Sequence, residues 1–333
     1  MTYDDAVEAW FDERLAIGEI AAFTAKKSRQ KALILSSFIG DTELDEIQQK
    51  DIVSAIGKLR QSGNSHYHGE KGFSQSTIRQ MFNAGSAACK QAVERGYAKK
   101  NPFDGIRRPK VSDADRHSLD EDDLKLLVEW AYKQMTDGEH NQAMSESRKR
   151  SFLLAVIIAA MTGMRRGEIF ALKWRDIDMA GKKIRVNQAI KAGGELGKPK
   201  TLAGIRNVSI GGRLIDILQE AYAWQLENVT RKAPIADSYV MCEPDGSLVS
   251  LNAFGHWWRD WIDRSGWEGL LFHELRHTHA TLLIASGVDI KTVQTRLGHS
   301  SADITLNIYA HAVPAKDVAA ADDFDAKIMG GVS

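Results

Sequence analysis

Four residues of types that can do phosphate chemistry lie within one C-terminal stretch of the sequence. His273 and Arg276 lie in L-F-H-E-L-R-H-T-H-A-T, His299 lies in L-G-H-S, and Tyr309 follows in I-Y-A-H. A guanidinium and imidazoles can hold an anionic phosphate, and a phenol can attack it. Each residue alone has an ordinary structural explanation. Together they predict a site at which a tyrosine attacks a phosphate.

The same letters also allow a zinc site, because His273, Glu274 and His277 fit the H-E-x-x-H pattern of zinc metalloprotease helices. That five-residue pattern recurs by chance. Here Arg276 would place a fixed cation beside the metal. We therefore expect no metal at this position. The sequence also has no Gly-Lys-Ser/Thr phosphate loop, so we expect neither ATP nor another cofactor.

Two more cationic motifs precede this block. T-G-M-R-R-G-E places Arg165 after an apolar segment, and K-P-K-T-L-A-G-I-R-N-V places Lys200 between two strand candidates. Taken singly, these residues would be explained as a surface arginine near a turn and a solvated lysine.

With these motifs in this order, the sequence resembles the tyrosine recombinases, the phage integrase family, strongly over residues 119–311 and loosely before them. The resemblance implies a catalytic set of Arg165, Lys200, His273, Arg276, His299 and Tyr309. It assigns supporting roles to Glu168, His277 and His279. The family's pattern around its catalytic lysine is K-T-x-x-S-x-R-x-V, and the sequence departs from it at Gly204, where the pattern has serine. Lys198 is close enough in the sequence to be an alternative to Lys200 as the catalytic lysine.

The family's chemistry gives each catalytic residue an expected role. Arg165 and Arg276 would grip the non-bridging phosphate oxygens, where charge accumulates during attack. His299 would donate a hydrogen bond to the phosphate, and His273 would take the phenolic proton. Lys200 would protonate the departing 5′ oxygen. The resulting 3′-phosphotyrosine conserves the ester's energy, so rejoining needs neither metal nor ATP.

The 333 residues predict about two domains. We expect a helical core-binding (SAM-like) domain over 1–108, a basic, proline-containing linker over 109–117 and the recombinase catalytic domain with its tail over 118–333. The expected fold is mainly α with a small antiparallel sheet, giving an α+β catalytic domain. Because residues 1–21 already look like the first core-binding helix, we expect no arm-binding domain ahead of it.

Local patterns predict several elements. In the N-terminal domain, the helix that begins near Ser76 is expected to end at Arg95-Gly96, with Gly96 as its C-cap. Other patterns lie in the catalytic domain. Asp120, as an N-cap with Asp123 at N3, predicts a helix start, and Phe152 to Ala160 predicts a buried helix. The strand candidates are Trp174–Asp178, Lys183–Ala189 and Asn207–Ile210.

The distribution of charge along the chain indicates what kind of molecule it binds. The chain has 44 basic and 44 acidic residues, but residues 165–213 carry twelve basic residues against four acidic ones and predict a basic face. In the N-terminal domain we expect DNA contacts from Lys26, Lys27, Arg29, Ser76, Thr77 and Arg79. Two cysteines, no signal sequence and no apolar run near ~20 residues predict a cytoplasmic protein without membrane contact.

The resemblance implies double-stranded DNA with recombination sites as the substrate. It further implies a monomer in solution that forms a homotetramer on DNA, with a place for accessory DNA-bending or directionality proteins. Two alternatives stay open. A type IB topoisomerase uses similar chemistry and would relax DNA without recombining sites, and a DNA-binding protein with a decayed site would form no covalent adduct.

Overall fold

The computed structural model describes residues 1–18, 22–62, 72–110, 118–137, 144–191, 193–199, 201–230, 234–262, 265–301 and 306. The chain forms two compact units, Met1–Asp115 and Arg116–Ser333. Among the described residues, none of the helices has both the length and the apolar character that a membrane span requires.

The first unit is helical. Its helices are α1 (Tyr3–Ala16), α2 (Ala22–Ala32), α3 (Ser36–Ile39), α4 (Gln49–Ser62) and α5 (Gln75–Glu94). Helix α5 is followed by Gly96 at φ 79°, the left-handed glycine predicted to end it. An added Cβ at Gly85 of α5 would lie 2.6 Å from the Tyr3 hydroxyl, so the missing side chain lets α5 pack closely on α1.

The second unit contains the remaining helices. They are α6 (Glu121–Thr136), α7 (Glu146–Thr162), α8 (Arg166–Phe170), α9 (Gly212–Asn228), α10 (Leu251–Ile262), α11 (Glu274–Ala285) and α12 (Ile290–Leu297). Asp120 caps α6 as predicted, because its carboxylate accepts the Asp123 N–H at 2.8 Å. Helix α7 is buried on nearly all sides from Ser151 to Ala160, as a central core helix must be.

The strands are short and antiparallel. They are β1 (Ile177–Asp178), β2 (Lys183–Val186), β3 (Ala189–Ile190), β4 (Leu196–Gly197) and β5 (Arg206–Ser209). One sheet has the order β1-β2-β5, with Ile184 opposite Val208, and β3 pairs with β4 in a separate hairpin. The prediction of a mainly helical fold with a small antiparallel sheet is confirmed.

Two strand predictions are wrong in part. The strand predicted over Lys183–Ala189 ends at Val186, and Ala189 begins the separate strand β3. Trp174–Asp176 forms a 3₁₀ turn rather than the start of a strand, and only Ile177–Asp178 is extended. The Asp176 carboxylate accepts the Lys173 N–H at 3.1 Å, while the Asp176 N–H donates to the Lys173 carbonyl at 2.9 Å. These two hydrogen bonds stabilise the turn, although the residue types of the segment favour a strand.

Candidate active site

Two glycine-terminated helices meet at the candidate site. Helix α7 is capped by Gly163 with φ 66°, and α12 is capped by Gly298 with φ 68°, so both use the left-handed conformation that glycine adopts at little cost. An added Cβ at Gly163 would lie 2.5 Å from Leu297 Cδ2. The T-G and L-G motifs are therefore two helix ends packed against each other.

The end of α12 accepts hydrogen bonds from three arginines. The pairs are Arg206 Nε with the Arg296 carbonyl at 2.6 Å, Arg276 Nη2 with the Leu297 carbonyl at 2.7 Å, and Arg165 Nη2 with the Gly298 carbonyl at 3.1 Å. The last carbonyls of a helix have no partner within it and carry the negative end of its dipole. Cations from three distant parts of the chain satisfy them here.

Arg276 is the most deeply buried of these cations, with 3% of its surface exposed. Its Nη1 also donates to the Gly163 carbonyl at 2.8 Å, so its guanidinium joins the ends of α7 and α12. Burial, together with the nearby Arg165, lowers the pKa of Arg276 to about 9. At neutral pH the cation is retained.

Glu168 connects two of the arginines. Its carboxylate accepts the Arg165 N–H at 3.1 Å, Arg165 Nη1 at 2.9 Å and Arg206 Nη2 at 2.9 Å. Burial alone would raise its pKa, but the hydrogen bond and charge of Arg206, aided by Arg165, hold the pKa of Glu168 below its ordinary value. Glu168 therefore holds the Arg165 and Arg206 guanidiniums together.

His299 follows the α12 cap directly and is buried. Its backbone N–H donates to the Gln294 carbonyl at 3.1 Å, and its carbonyl accepts from Gln294 Nε2 at 3.2 Å. Burial and the charges of Arg276 and Arg165 lower the pKa of His299 to about 3. The imidazole is therefore neutral at pH 7 and can donate one N–H to an anion.

His273 lies immediately before α11 and is exposed. Its ring centroid is 5.0 Å from that of His277, with the rings nearly perpendicular. The Glu274 carboxylate accepts the Leu271 N–H at 2.8 Å, so it stabilises the start of the helix. In the part of the chain that the structure describes, no group of three or more metal-ligating side chains is assembled.

Lys200 and Tyr309 lie outside the described residues. Ala203, three residues further along the chain, can be placed: an added Cβ at Gly298 would lie 2.7 Å from its carbonyl oxygen, so Ala203 borders the end of α12. An added Cβ at Gly204 would lie 2.5 Å from Pro199 Cβ. This contact explains why glycine occupies a position at which the family pattern often has serine.

The predicted DNA contacts of the first unit lie on two helices. Lys26, Lys27 and Arg29 are exposed on α2, and Arg29 is paired with Glu8. Ser76, Thr77 and Arg79 lie in the first turns of α5, where Ser76 and Arg79 are exposed and Thr77 is half-buried. Their contact with DNA stays a prediction.

Sequence reasoning gave no role to Arg206 or Arg296. Arg206 could have been found, because it matches the arginine of the K-T-x-x-S-x-R-x-V pattern. Arg296 has no comparable sequence signal. Only the fold shows that it lies among the other arginines.

The comparisons with known proteins agree on one family. Residues 117–316 match the phage integrase family. The XerC-like tyrosine recombinase of Caldanaerobacter subterraneus subsp. tengcongensis is 29% identical, over 94% of this chain and 80% of that protein. The ICEBs1 integrase of Bacillus subtilis is 26% identical, over 77% of this chain and 67% of that protein.

A solved structure has the same fold. The Tn1549 transposon integrase, in complex with transposon right end DNA, has a TM-score of 0.75 and 20% identity, covering 97% of this chain and 98% of that one. The family match covers more than half of the 333 residues. The chain therefore belongs to the phage integrase family of tyrosine recombinases, the enzymes that cleave and rejoin DNA at specific sites through a covalent phosphotyrosine.

Proposed function

We propose that this chain binds double-stranded DNA and that Arg165, Arg276 and His299 hold the phosphate that Tyr309 attacks. The observation that carries the proposal is the convergence of these three described residues on the end of α12. Two cations and a neutral N–H donor at one helix end match the needs of a phosphodiester whose non-bridging oxygens gain charge during attack.

In the proposed step, the Tyr309 oxygen forms a bond to phosphorus and the bond from phosphorus to the 5′ oxygen breaks. His273 takes the phenolic proton, and Lys200 gives a proton to the 5′ oxygen. The products are a 3′-phosphotyrosine and a free 5′ hydroxyl. Attack by a 5′ hydroxyl of another strand reverses these steps, releases Tyr309 and joins that strand. The same steps on the second strand complete recombination.

A nicked suicide substrate tests the nucleophile, because the short strand diffuses away after cleavage and leaves the adduct trapped. We expect the adduct to map to the peptide that contains Tyr309, and Tyr309→Phe to form none. An adduct on another peptide would refute the assignment. Activity lost in excess chelator and restored by zinc would instead favour the metal-site interpretation of His273 and His277.

The role of Lys200 can be separated from that of Lys198 by the leaving group. Expulsion of an alkoxide needs a proton, whereas a thiolate leaves without one because a thiol has a pKa near ~8.5. Lys200→Ala should lose about 10²–10⁴-fold on ordinary DNA and recover when sulfur replaces the bridging 5′ oxygen. Lys198→Ala should lose little on either substrate, and Arg276→Ala should not recover. Equal impairment of Lys200→Ala on both substrates would assign the proton to another group.

We propose that the first unit adds phosphate contacts through Lys26, Lys27 and Arg79, with Ser76 and Thr77 as neutral donors. Arg29 should contribute less, because its guanidinium is already paired with Glu8. The logarithm of the DNA-binding constant falls linearly with the logarithm of the salt concentration. Each of Lys26→Ala and Lys27→Ala should make the slope of that line shallower by about one unit. Unchanged slopes for both variants would remove α2 from the interface.

The assembly and biological direction are also proposals. We propose an integrase of a phage or integrative element that is a monomer in solution and a homotetramer on DNA, with accessory DNA-bending or directionality proteins where the element supplies them. Relaxation of supercoiled DNA without recombination between the sites that the protein protects would favour the topoisomerase alternative. Absence of any covalent adduct would favour a DNA-binding protein with an inactive site.

A further inference from the structure

We propose that Arg296 is a positioning residue for strand cleavage, which fixes the end of α12 on which Arg165 and Arg276 are aligned. The inference rests on the proposed function of that cluster. Arg296 touches none of the reacting groups in this proposal. It acts through the three carbonyl oxygens, including its own, that accept from the neighbouring arginines.

The Arg296 side chain joins α12 to three other elements. Its Nε donates to His279 Nε2 of α11 at 3.0 Å, its Nη1 donates to the Ser209 carbonyl of β5 at 2.9 Å, and its Nη2 lies 3.4 Å from the Met161 carbonyl of α7. A planar guanidinium holds such contacts in fixed relative directions, which an ammonium on a flexible stem cannot do.

His279 extends this connection. An arginine can only donate, so His279 Nε2 must be the acceptor, and the ring proton must lie on Nδ1. Nδ1 then donates to the Ala160 carbonyl of α7 at 3.0 Å. Burial, with the charge of Arg296, lowers the pKa of His279 to about 4, which keeps the ring in the neutral form that this arrangement requires.

Displacement of the α12 end would move several catalytic contacts together. The Arg296 backbone carbonyl accepts from Arg206, and the next two carbonyls accept from Arg276 and Arg165. Burial and the nearby Arg206 also lower the pKa of Arg296, so holding a fourth cation here costs free energy. The three hydrogen bonds that its guanidinium donates offset that cost.

The test compares DNA affinity with the rate at which bound DNA is cleaved, using the full chain at saturating concentration on a nicked suicide substrate. Arg296→Lys keeps the positive charge but loses the planar set of N–H donors, and Arg296→Met removes both. We expect both variants to bind DNA within threefold of the parent and to cleave about 10²-fold more slowly. Lys291→Met, on the exposed start of the same helix, is the charge-matched control and should cleave within threefold.

A second pair of variants decides the question if the Arg296 variants do not fold. The amide of His279→Gln can accept from Arg296 and donate to Ala160, so it should cleave within threefold of the parent. His279→Leu can do neither and should be about 10²-fold slower. Equal rates for these two variants would overturn the proposal.

Combination with Arg276→Ala separates positioning from independent effects. If Arg296 acts through Arg276, Arg296→Met should add at least tenfold less loss in the Arg276→Ala background than in the parent. The inference would be refuted if Arg276→Ala cleaves slowly and the losses of cleavage rate of the two single variants multiply in the double variant. It would also be refuted if Arg276→Ala cleaves slowly and Arg296→Lys cleaves fast. Fast cleavage by Arg276→Ala would refute the proposed function itself.

Discussion

Glu168→Gln should destabilise the second unit strongly, because Glu168 holds a buried ion pair. The Glu168 and Arg206 side chains are 2% and 5% exposed and lie 2.9 Å apart. Glutamine is nearly the same size, but it removes the negative charge and presents an amide donor to two arginines. Breaking a buried pair by neutralising one partner typically costs about 3–5 kcal/mol.

This loss of stability should lower the melting temperature, Tm, by a measurable amount. For a unit of this size, each kcal/mol lowers Tm by about 2–4 °C, so Glu168→Gln should lower it by about 10 °C. Tryptophan fluorescence is a suitable probe, since every tryptophan except Trp10 lies in the second unit. The transition observed is therefore that of the unit containing the substitution.

A matched control is available in the same unit. Arg175 and Asp237 form an ion pair whose side chains are 52% and 43% exposed. Because exposed pairs contribute about 0–1 kcal/mol, Asp237→Asn should shift Tm by only a few degrees. If Glu168→Gln lowers Tm no more than Asp237→Asn does, the carboxylate does not hold the cluster together, and the reasoning is wrong.

Three further predictions follow from the site and the tail. The pKa values of His279 and His299 lie at about 4 and 3, below the ~6.5 of an unfolded histidine, so the unfolded state binds more protons as the pH falls below about 6.5. The free energy of unfolding should therefore decrease by about 3 kcal/mol for each histidine between pH 7 and 4. Denaturant titrations at the two pH values should show a smaller decrease for His279→Gln, because glutamine does not titrate in this range. Gly163→Ala should destabilise the second unit and slow adduct formation, because it combines a left-handed backbone with a 2.5 Å approach to Leu297; unchanged melting and adduct rates would contradict this. Truncation after His311 should abolish synapsis, because Val318, Phe324, Ile328 and Met329 of the tail can form an apolar stripe that packs against a neighbouring protomer. Intact recombination by the truncated chain would exclude this role.

Local sequence signals predicted two helix ends correctly, although α7 begins at Glu146, six residues before the predicted Phe152. The Asp120 cap and Gly96 both have the predicted roles, because capping depends on a few adjacent residues. The signal failed at Trp174, where β propensity suggested a strand. There, the hydrogen bonds between Asp176 and Lys173 close a turn, and a propensity scale does not contain such side-chain contacts.

The candidate catalytic residues were identified by motif, but the geometry of their side chains could not be predicted in this way. The bonds that align Arg165, Arg206 and Arg276 join residues 133, 90 and 21 positions apart. Spacing along the chain says nothing about which carbonyl a distant guanidinium will reach. Lys200 and Tyr309 stay predictions from their motifs, since they lie outside the described residues.

The choice of acceptors explains how this cluster can be both ordered and positively charged. Backbone carbonyls at the ends of α7 and α12 orient Arg276 without cancelling its charge, since they supply dipoles rather than anions. Glu168 is the one carboxylate paired with Arg165 and Arg206 among the described contacts, so three guanidiniums face a single negative charge. With Arg296 beside them, the cluster keeps an excess of positive charge, which can stabilise the negative charge that a phosphodiester gains in its transition state. Had carboxylates oriented all three arginines, the same geometry would have left little charge for the phosphate.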